Sequence, residues 1–159
     1  MFPIKVTIEF ATAADVVEIG ELSKSLVEYG LGWRYTPKRL RKLIETRTKN
    51  VVVARKGEKL AGFGIMTYWE DNANLDLLAV KPRYRRRSIG KQIVEWLVEV
   101  ARTAGIMNVF VQVRKLNSGA IRFYENIGFQ TIDEEPGYYR GQETGVILCK
   151  PIRPIFVGT

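Results

Sequence analysis

The chain has 159 residues, 46% hydrophobic and 26% charged, which is enough length and apolar content for a packed core and the wrong balance for a disordered chain. Its 25 Lys and Arg against 17 Asp and Glu give a net charge of +8, which suits a phosphate-bearing cofactor, an acidic substrate or a nucleic acid without choosing among them. There is no histidine and a single cysteine, Cys149, so His-based triads, His or Cys-rich metal sites and an internal disulfide are excluded, and no metal is expected.

Ile4, Val6, Ile8 and Phe10 alternate with other residues and predict a first strand over residues 4–10. That opening lacks the apolar h-region of a signal peptide, and no run reaches transmembrane length. A cytoplasmic protein with no membrane partner is expected. Thr12 and Asp15 have the spacing of a capping box, with Asp in place of the usual Glu. The helix they open carries Val16, Ile19, Leu22, Leu26 and Tyr29 on one face, and Gly30 is its expected stop. A glycine and aromatic loop follows, holding Trp33 and Tyr35. Thr36 and Pro37 then fit the N-cap and first position of a second helix. Its apolar stripe is Leu40, Leu43 and Ile44, and its other face is basic at Lys38, Arg39, Arg41 and Lys42.

Residues 51–55 and 60–69 predict two strands joined by the turn Lys56, Gly57, Glu58. Glu70, Asp71 and Asn72 turn the chain into the next strand, residues 74–80. Pro82 ends that strand. The stretch Arg85, Arg86, Arg87, Ser88, Ile89, Gly90, Lys91 then leads into a helix with Ile93, Val94, Trp96, Leu97 and Val100 on its apolar positions, ending near Gly105. A helix that opens on a small, basic turn aims free N–H groups and its positive dipole end at that turn, which makes it a candidate phosphate site. Residues 108–113 predict another strand. Asn117 and Ser118 start a short helix through Ile127, closed by Gly128. Residues 129–132 and 145–148 predict the last strands. A polar loop, residues 133–144, separates them and holds Tyr138 and Tyr139. Cys149 extends the run Val146, Ile147, Leu148, so a buried, inert thiol is expected. The order β-α-α-β-β-β-α-β-α-β-β, without linker or repeat, predicts one α+β domain over residues 1–159. Its sheet would be mixed, mainly antiparallel, of about seven strands flanked by about four helices.

The spacing Arg85-x-x-Ser88-x-Gly90 resembles the Gln/Arg-x-x-Gly-x-Gly/Ala signature of the GNAT superfamily, the acyl-CoA-dependent N-acetyltransferases. Asn117, Ala120, Phe123, Tyr124, Gly128 and Phe129 match that family's Asn-x-x-Ala-x-x-Phe-Tyr-x-x-x-Gly-Phe run with no departure. The resemblance covers residues 4–150. It implies a GNAT-like fold and acetyl-CoA as cofactor. It places the pyrophosphate on the backbone amides of residues 85–91 and the pantetheine arm along Leu78, Ala79 and Val80, with an N–H near Leu78 for the oxyanion. Asn117 and Tyr124 would also meet the cofactor, and Tyr124 would be the general acid that protonates the departing thiolate. A phenol of pKa about 10 can do that work. Ser88 stands where the family has glycine. It keeps the N–H and adds a hydroxyl, but its Cβ would be costly if a positive φ is needed.

Pro136, Gly137, Tyr138, Tyr139 and Glu143 resemble a narrower group, the protein N-terminal acetyltransferases, including the ribosomal-protein alanine enzymes. Thr144 and Gly145 replace that group's usual Asp-Ala. Tyr138 and Tyr139 would line the groove for the acceptor, with Trp33 and Tyr35 opposite. Family positions that often carry a glutamate base hold amides here, Gln112 and Asn74. Asp76 is the nearest carboxylate on Asn74's face of the strand and is the candidate base, ahead of Glu143, Glu70 and a water.

An α-amine of pKa about 8 is neutral roughly one time in ten at pH 7, against about one in 2,500 for a lysine. Deprotonation then costs about 1.4 kcal/mol in the first case and about 4.6 in the second, so a site without an evident strong base favours the α-amine. The leading expectation is therefore an N-acetyltransferase acting on a primary amine, a peptide N-terminus or a small molecule. A catalytically weak acyl-CoA-binding module is the alternative. A basic nucleic-acid-binding domain comes third, because no recognition motif for RNA or DNA is present. A homodimer is compatible with all three.

Overall fold

Alternation of apolar residues becomes a strand where one face can be covered and the backbone finds partners. The computed structural model describes residues 2–28, 32–139 and 141–152. Its seven strands are ordered β1-β2-β3-β4-β5-β7-β6. The β4–β5 pair is parallel, and β1–β2, β2–β3, β5–β7 and β6–β7 are antiparallel. With four α-helices among the described residues this is the mixed, mostly antiparallel α+β architecture expected, in the expected element order. The chain divides into two compact units, Met1–Thr67 with Asp76–Leu97 and Tyr68–Leu75 with Val98–Thr159. Among the described residues no helix is long and apolar enough to cross a membrane.

In the first unit β1 (Thr7–Phe10) pairs with β2 (Lys49–Lys56), and β2 forms a hairpin with β3 (Lys59–Trp69) through the turn at Gly57 and Glu58. The first strand is shorter than predicted because residues 4–6 are engaged elsewhere. α1 (Val16–Leu22) buries Val16 and Ile19, and α2 (Pro37–Glu45) buries Leu40 and Leu43. They share a core with Val51, Val53, Phe63, Ile65, Leu77 and Ala79. Each large apolar side chain buried there contributes about 1.5–3 kcal/mol. Thr36 caps α2 as predicted, its hydroxyl accepting from the Arg39 N–H at 3.3 Å. Asp15 accepts from the Thr12 N–H at 2.9 Å. The first helix does not run on regularly from α1. It loosens into a π turn at Ser23–Val27, closed by the Glu28 N–H on the Ser23 carbonyl at 2.8 Å. Tyr29 and Gly30, expected to end it, lie outside the described residues.

β4 (Asn72–Val80) leads through a 3-10 turn at Pro82–Tyr84 into α3 (Ile89–Thr103). Strict alternation of buried and half-buried residues along β4 puts Asn74, Asp76, Leu78 and Val80 on one face, without a bulge. In the second unit β4 pairs with β5 (Asn108–Arg114) from Asn72↔Asn108 to Leu75↔Val111. α4 (Ser118–Asn126) follows, then β6 (Gln130–Tyr139) and β7 (Glu143–Pro151).

The polar loop expected over residues 133–144 is mostly strand. β6 continues to Tyr139, and only the short turn before Glu143 remains. An edge strand exposed on its face can be polar throughout, because its backbone bonds to β7 do not depend on side-chain character. Pro136 and Gly137, which read as loop residues, fall in the register break between Glu135↔Gly145 and Tyr139↔Glu143.

Gly62 on β3 is set by close approach. A Cβ there would come within 2.6 Å of the Ala79 carbonyl oxygen and 3.3 Å of the Val80 Cα. Backbone cannot step aside as a side chain can. Gly62→Ala is expected to destabilise the protein by about 1–3 kcal/mol. A lowered urea midpoint at unchanged m-value is the expected result.

Candidate acyl-transfer site

The β4–α3 connection is built by two non-glycine residues in the left-handed region, Arg86 at φ 61° and Ser88 at φ 62°. Ser88 opens the helix, its carbonyl accepting the Gln92 N–H at 3.0 Å. The first N–H groups of α3 have no carbonyl behind them in the helix and carry its positive dipole end. Arg85 and Arg86 are exposed, Arg87 and Ser88 half-buried, and Arg85 Nε donates to the Val80 carbonyl at 3.2 Å. Ile89 is buried, Gly90 is half-buried, and exposed Lys91 pairs with Glu95 at 3.8 Å. Free helix N–H groups, small residues and exposed guanidinium groups are a donor set that fits a pyrophosphate. Upstream, Ala79 is buried while Leu78 and Val80 are half-buried on the opposite face of β4.

Asn117 caps α4, its Oδ1 accepting the Ala120 N–H at 3.0 Å. Tyr124 lies on that helix with 5% exposure, edge-on to Phe123 at 5.0 Å and to Phe129 at 5.3 Å. Burial, with the neighbouring Tyr139 as a smaller cause, raises its pKa well above the ordinary phenol value near 10. The proton therefore stays on Tyr124 throughout the neutral range.

The acceptor-side candidates have contrasting settings. Trp33 is 38% exposed, donates Nε1–H to the Gly20 carbonyl at 3.0 Å, and has Lys24 Nζ 5.0 Å from its ring. Tyr35 is only 7% exposed and belongs to the first unit's core; burial and then the Asp76 charge raise its pKa. The segment between them is held by Glu28. This buried carboxylate accepts from the Arg34 N–H at 3.1 Å, the Tyr35 N–H at 3.1 Å and the Ser23 hydroxyl at 3.0 Å. Tyr138 and Tyr139 sit at the end of β6, edge-to-face at 4.9 Å. At Gly145, where the resembled group has alanine, a Cβ would stand 2.8 Å from the Tyr138 side chain. Arg114 lies 5.4 Å over Tyr139 and 3.3 Å from Glu143, close enough for an ion pair but out of line for a hydrogen bond.

The two amides at the usual base positions are bonded to each other. Asn74 Nδ2 donates to Gln112 Oε1 at 3.0 Å, and Gln112 Nε2 donates back to Asn74 Oδ1 at 2.7 Å. Sequence reasoning found both amides and missed their pairing, which the parallel β4–β5 register alone produces. Asp76 accepts from the Thr67 hydroxyl, which in turn accepts from Lys49 Nζ at 2.8 Å. Neither Thr67 nor Lys49 carries a motif; only strand pairing brings Lys49 opposite Thr67.

The sequence places this fold and loop in a family. Residues 20–129 match the acetyltransferase (GNAT) family, to which the chain belongs. It is 33% identical over 98 residues to the [ribosomal protein bS18]-alanine N-acetyltransferase of Salmonella typhimurium, a match covering 60% of this chain and 66% of that relative's length. It is 30% identical over 139 residues to the N-alpha-acetyltransferase RimI of Mycobacterium tuberculosis, covering 85% of each. The fold is also that of the PaiA N-acetyltransferase of Thermoplasma acidophilum, solved in complex with coenzyme A. There the TM-score is 0.79 at 20% identity, over 94% of this chain and 100% of that one.

The left-handed Ser88 has a measurable consequence. A residue with a Cβ is disfavoured in that region by roughly 1–2 kcal/mol. Ser88→Gly, which removes the strain but loosens the unfolded chain, is expected to raise stability by up to about 1 kcal/mol. Affinity for coenzyme A is expected to stay within about tenfold, since backbone amides do most of the holding. Thermal unfolding and calorimetric titration check the two halves.

Proposed function

We propose that the chain is an acetyl-CoA-dependent N-acetyltransferase that acts by direct attack of a primary amine, with a protein α-amine as the acceptor. The observation that carries the reading is the helix-opening loop with its two left-handed residues in a chain of the GNAT family. The names of the relatives, an alanine N-acetyltransferase and an N-alpha-acetyltransferase, support the α-amine. So does the neutral-amine arithmetic. We read residues 1–159 as one catalytic domain working in the cytoplasm.

Bound acetyl-CoA would supply the activated acetyl thioester. The N–H groups of Arg87, Ser88, Ile89 and Gly90 would hold its pyrophosphate, with Arg85, Arg86 and Lys91 adding positive charge. The backbone of Leu78, Ala79 and Val80 would take the pantetheine arm, and an N–H near Leu78 would donate to the carbonyl oxygen as charge develops there. Asn117 keeps Nδ2 for the cofactor while Oδ1 caps α4. Tyr124 holds its proton at Oη and gives it to the leaving thiolate. A raised pKa suits that role, because the proton is present at working pH. Asp76, its carboxylate held by Thr67, is the candidate for taking a proton from the amine. Tyr138, Tyr139 and the exposed Trp33 ring would line the acceptor side, with buried Tyr35 anchoring the Trp33 segment.

A second reading, an acyl-CoA-binding module with weak catalysis, is favoured by the Asn74–Gln112 pair. Two amides that satisfy each other offer no proton acceptor where relatives of the resembled group carry a carboxylate. Tight coenzyme A binding without release of free thiol on a panel of peptides and small amines would favour this second reading.

Tyr124→Phe is expected to lower kcat by roughly 10²-fold with cofactor affinity nearly unchanged, as for an interaction made only in the transition state. An unaltered kcat, with chemistry shown to limit the rate, would remove Tyr124 as the acid.

On an unblocked peptide the rate should rise with pH and level off near about pH 8, following the α-amine. Tyr124 adds no alkaline fall below about pH 10, since its pKa is raised. Blocking the peptide's N-terminus should abolish turnover even with lysines present. Equal turnover on the blocked peptide would overturn the α-amine and leave the acetyltransferase.

A further inference from the structure

The segment before β1 is not a loose end. The Ile4 N–H donates to the Arg87 carbonyl at 3.0 Å. The Ile4 carbonyl accepts from Gln92 Nε2 at 2.7 Å, and the Val6 N–H donates to Gln92 Oε1 at 3.4 Å. Gln92 Nε2 also lies 3.4 Å from Ser88 Oγ. One half-buried glutamine on the first turn of α3 thus ties residues 4–6 to the loop that opens the helix. Both groups of its side-chain amide are used, and both backbone groups of Ile4 are used with them.

This stitching has a directional effect. In a trans peptide the carbonyl and the next N–H are fixed in one plane and point in opposite directions. Holding the Arg87 carbonyl on Ile4 therefore aims the Ser88 N–H away from Ile4. At the same time the Ser88 carbonyl is committed to the Gln92 N–H, which fixes the next peptide plane and so the direction of the Ile89 N–H. The left-handed conformation of Ser88 would otherwise relax, because a serine gains by leaving it. A glycine at that position would need no such restraint, and this chain has the serine.

We infer that Gln92 is a positioning residue for the anion-binding loop: with Ile4 and Val6 it presets the direction of the Ser88 and Ile89 N–H groups for a pyrophosphate. The inference rests on the reading of residues 85–91 as the pyrophosphate site. Gln92 does not touch the ligand in this role. It acts through Ile4, Ser88 and the peptide between Arg87 and Ser88. Pre-aimed donors cost less to order on binding, so the effect falls on affinity for the pyrophosphate and on nothing else.

The test uses the full chain and two ligands, coenzyme A and pantetheine, which shares the thiol arm and lacks the pyrophosphate. Calorimetric titration gives Kd for each with the unmodified chain and with Gln92→Ala, a change that α3 tolerates because alanine is the best helix former. Loss of about one net hydrogen bond's worth of preorganisation predicts a Kd for coenzyme A weakened by about fivefold, with pantetheine within about twofold. Gln92→Glu keeps the acceptor for Val6 and removes the donor to Ile4, so it should show the same split. Equal weakening for both ligands would mean that Gln92 only supports the fold, and no change for either would mean that the loop is set without it; each outcome overturns the inference. If the unmodified chain binds both ligands equally well, it is the pyrophosphate reading itself that fails.

Discussion

The turn that carries β4 into α3 constrains everything near it. Between the strand and the helix Arg86 and Ser88 adopt positive φ without being glycine, a conformation uncommon for residues with a Cβ. Such conformations persist when the surroundings over-determine them. The surroundings are visible: Arg85 Nε on the Val80 carbonyl, Tyr84 buried at the turn, Ile89 buried just beyond it, and Ile4 on the Arg87 carbonyl. The two left-handed residues stand immediately before the first N–H groups of α3, so the strained turn and the anion site proposed for it occupy the same few residues.

Several buried or half-buried polar groups follow a different rule: they are tolerated because they are satisfied. Asn74 and Gln112 close on each other, Asp76 takes the Thr67 hydroxyl, and Glu28 gathers four donors in the first unit, the Ser23 hydroxyl, the Arg34 and Tyr35 N–H groups and Arg34 Nε. These arrangements are not equivalent chemically. A closed amide pair can neither accept a proton nor give one up at neutral pH, whereas a carboxylate held by a hydroxyl can. Asn74 and Gln112 are uncharged, and Asp76 is the carboxylate that shares Asn74's face of β4. For the α-amine proposed as acceptor, which is partly neutral already, the lack of a glutamate at those two positions would be less of a handicap.

Tyr124 owes two properties to one environment. The edge-on rings of Phe123 and Phe129 make it part of a packed aromatic cluster, and the same burial keeps its proton in place. A packed tyrosine that keeps its proton is compatible with the donor role proposed for it. Its position on α4 depends on a well-defined start and finish to a short helix, with Asn117 at one end and Lys150 Nζ on the Ile127 carbonyl at 2.5 Å at the other.

The sequence by itself determined the element order, the helix caps at Thr36 and Asn117, the stripe of α2 and the helix-opening loop, because each depends on residues close together in the chain. It misjudged β6. Asp133, Glu134 and Glu135 look like loop, and they are strand only because β7 lies alongside to take their backbone bonds. It found Asn74 and Gln112 as missing bases but not as a bonded pair, since a parallel register between strands far apart in sequence has no local signal. Gln92 was silent for the same reason: its partners Ile4 and Val6 are 88 and 86 residues away. What only the tertiary structure decided was which polar groups are engaged and which are directed outwards. Hydrogen bonds acting over a few ångströms between distant segments set that direction, and no spacing rule along one segment can register them.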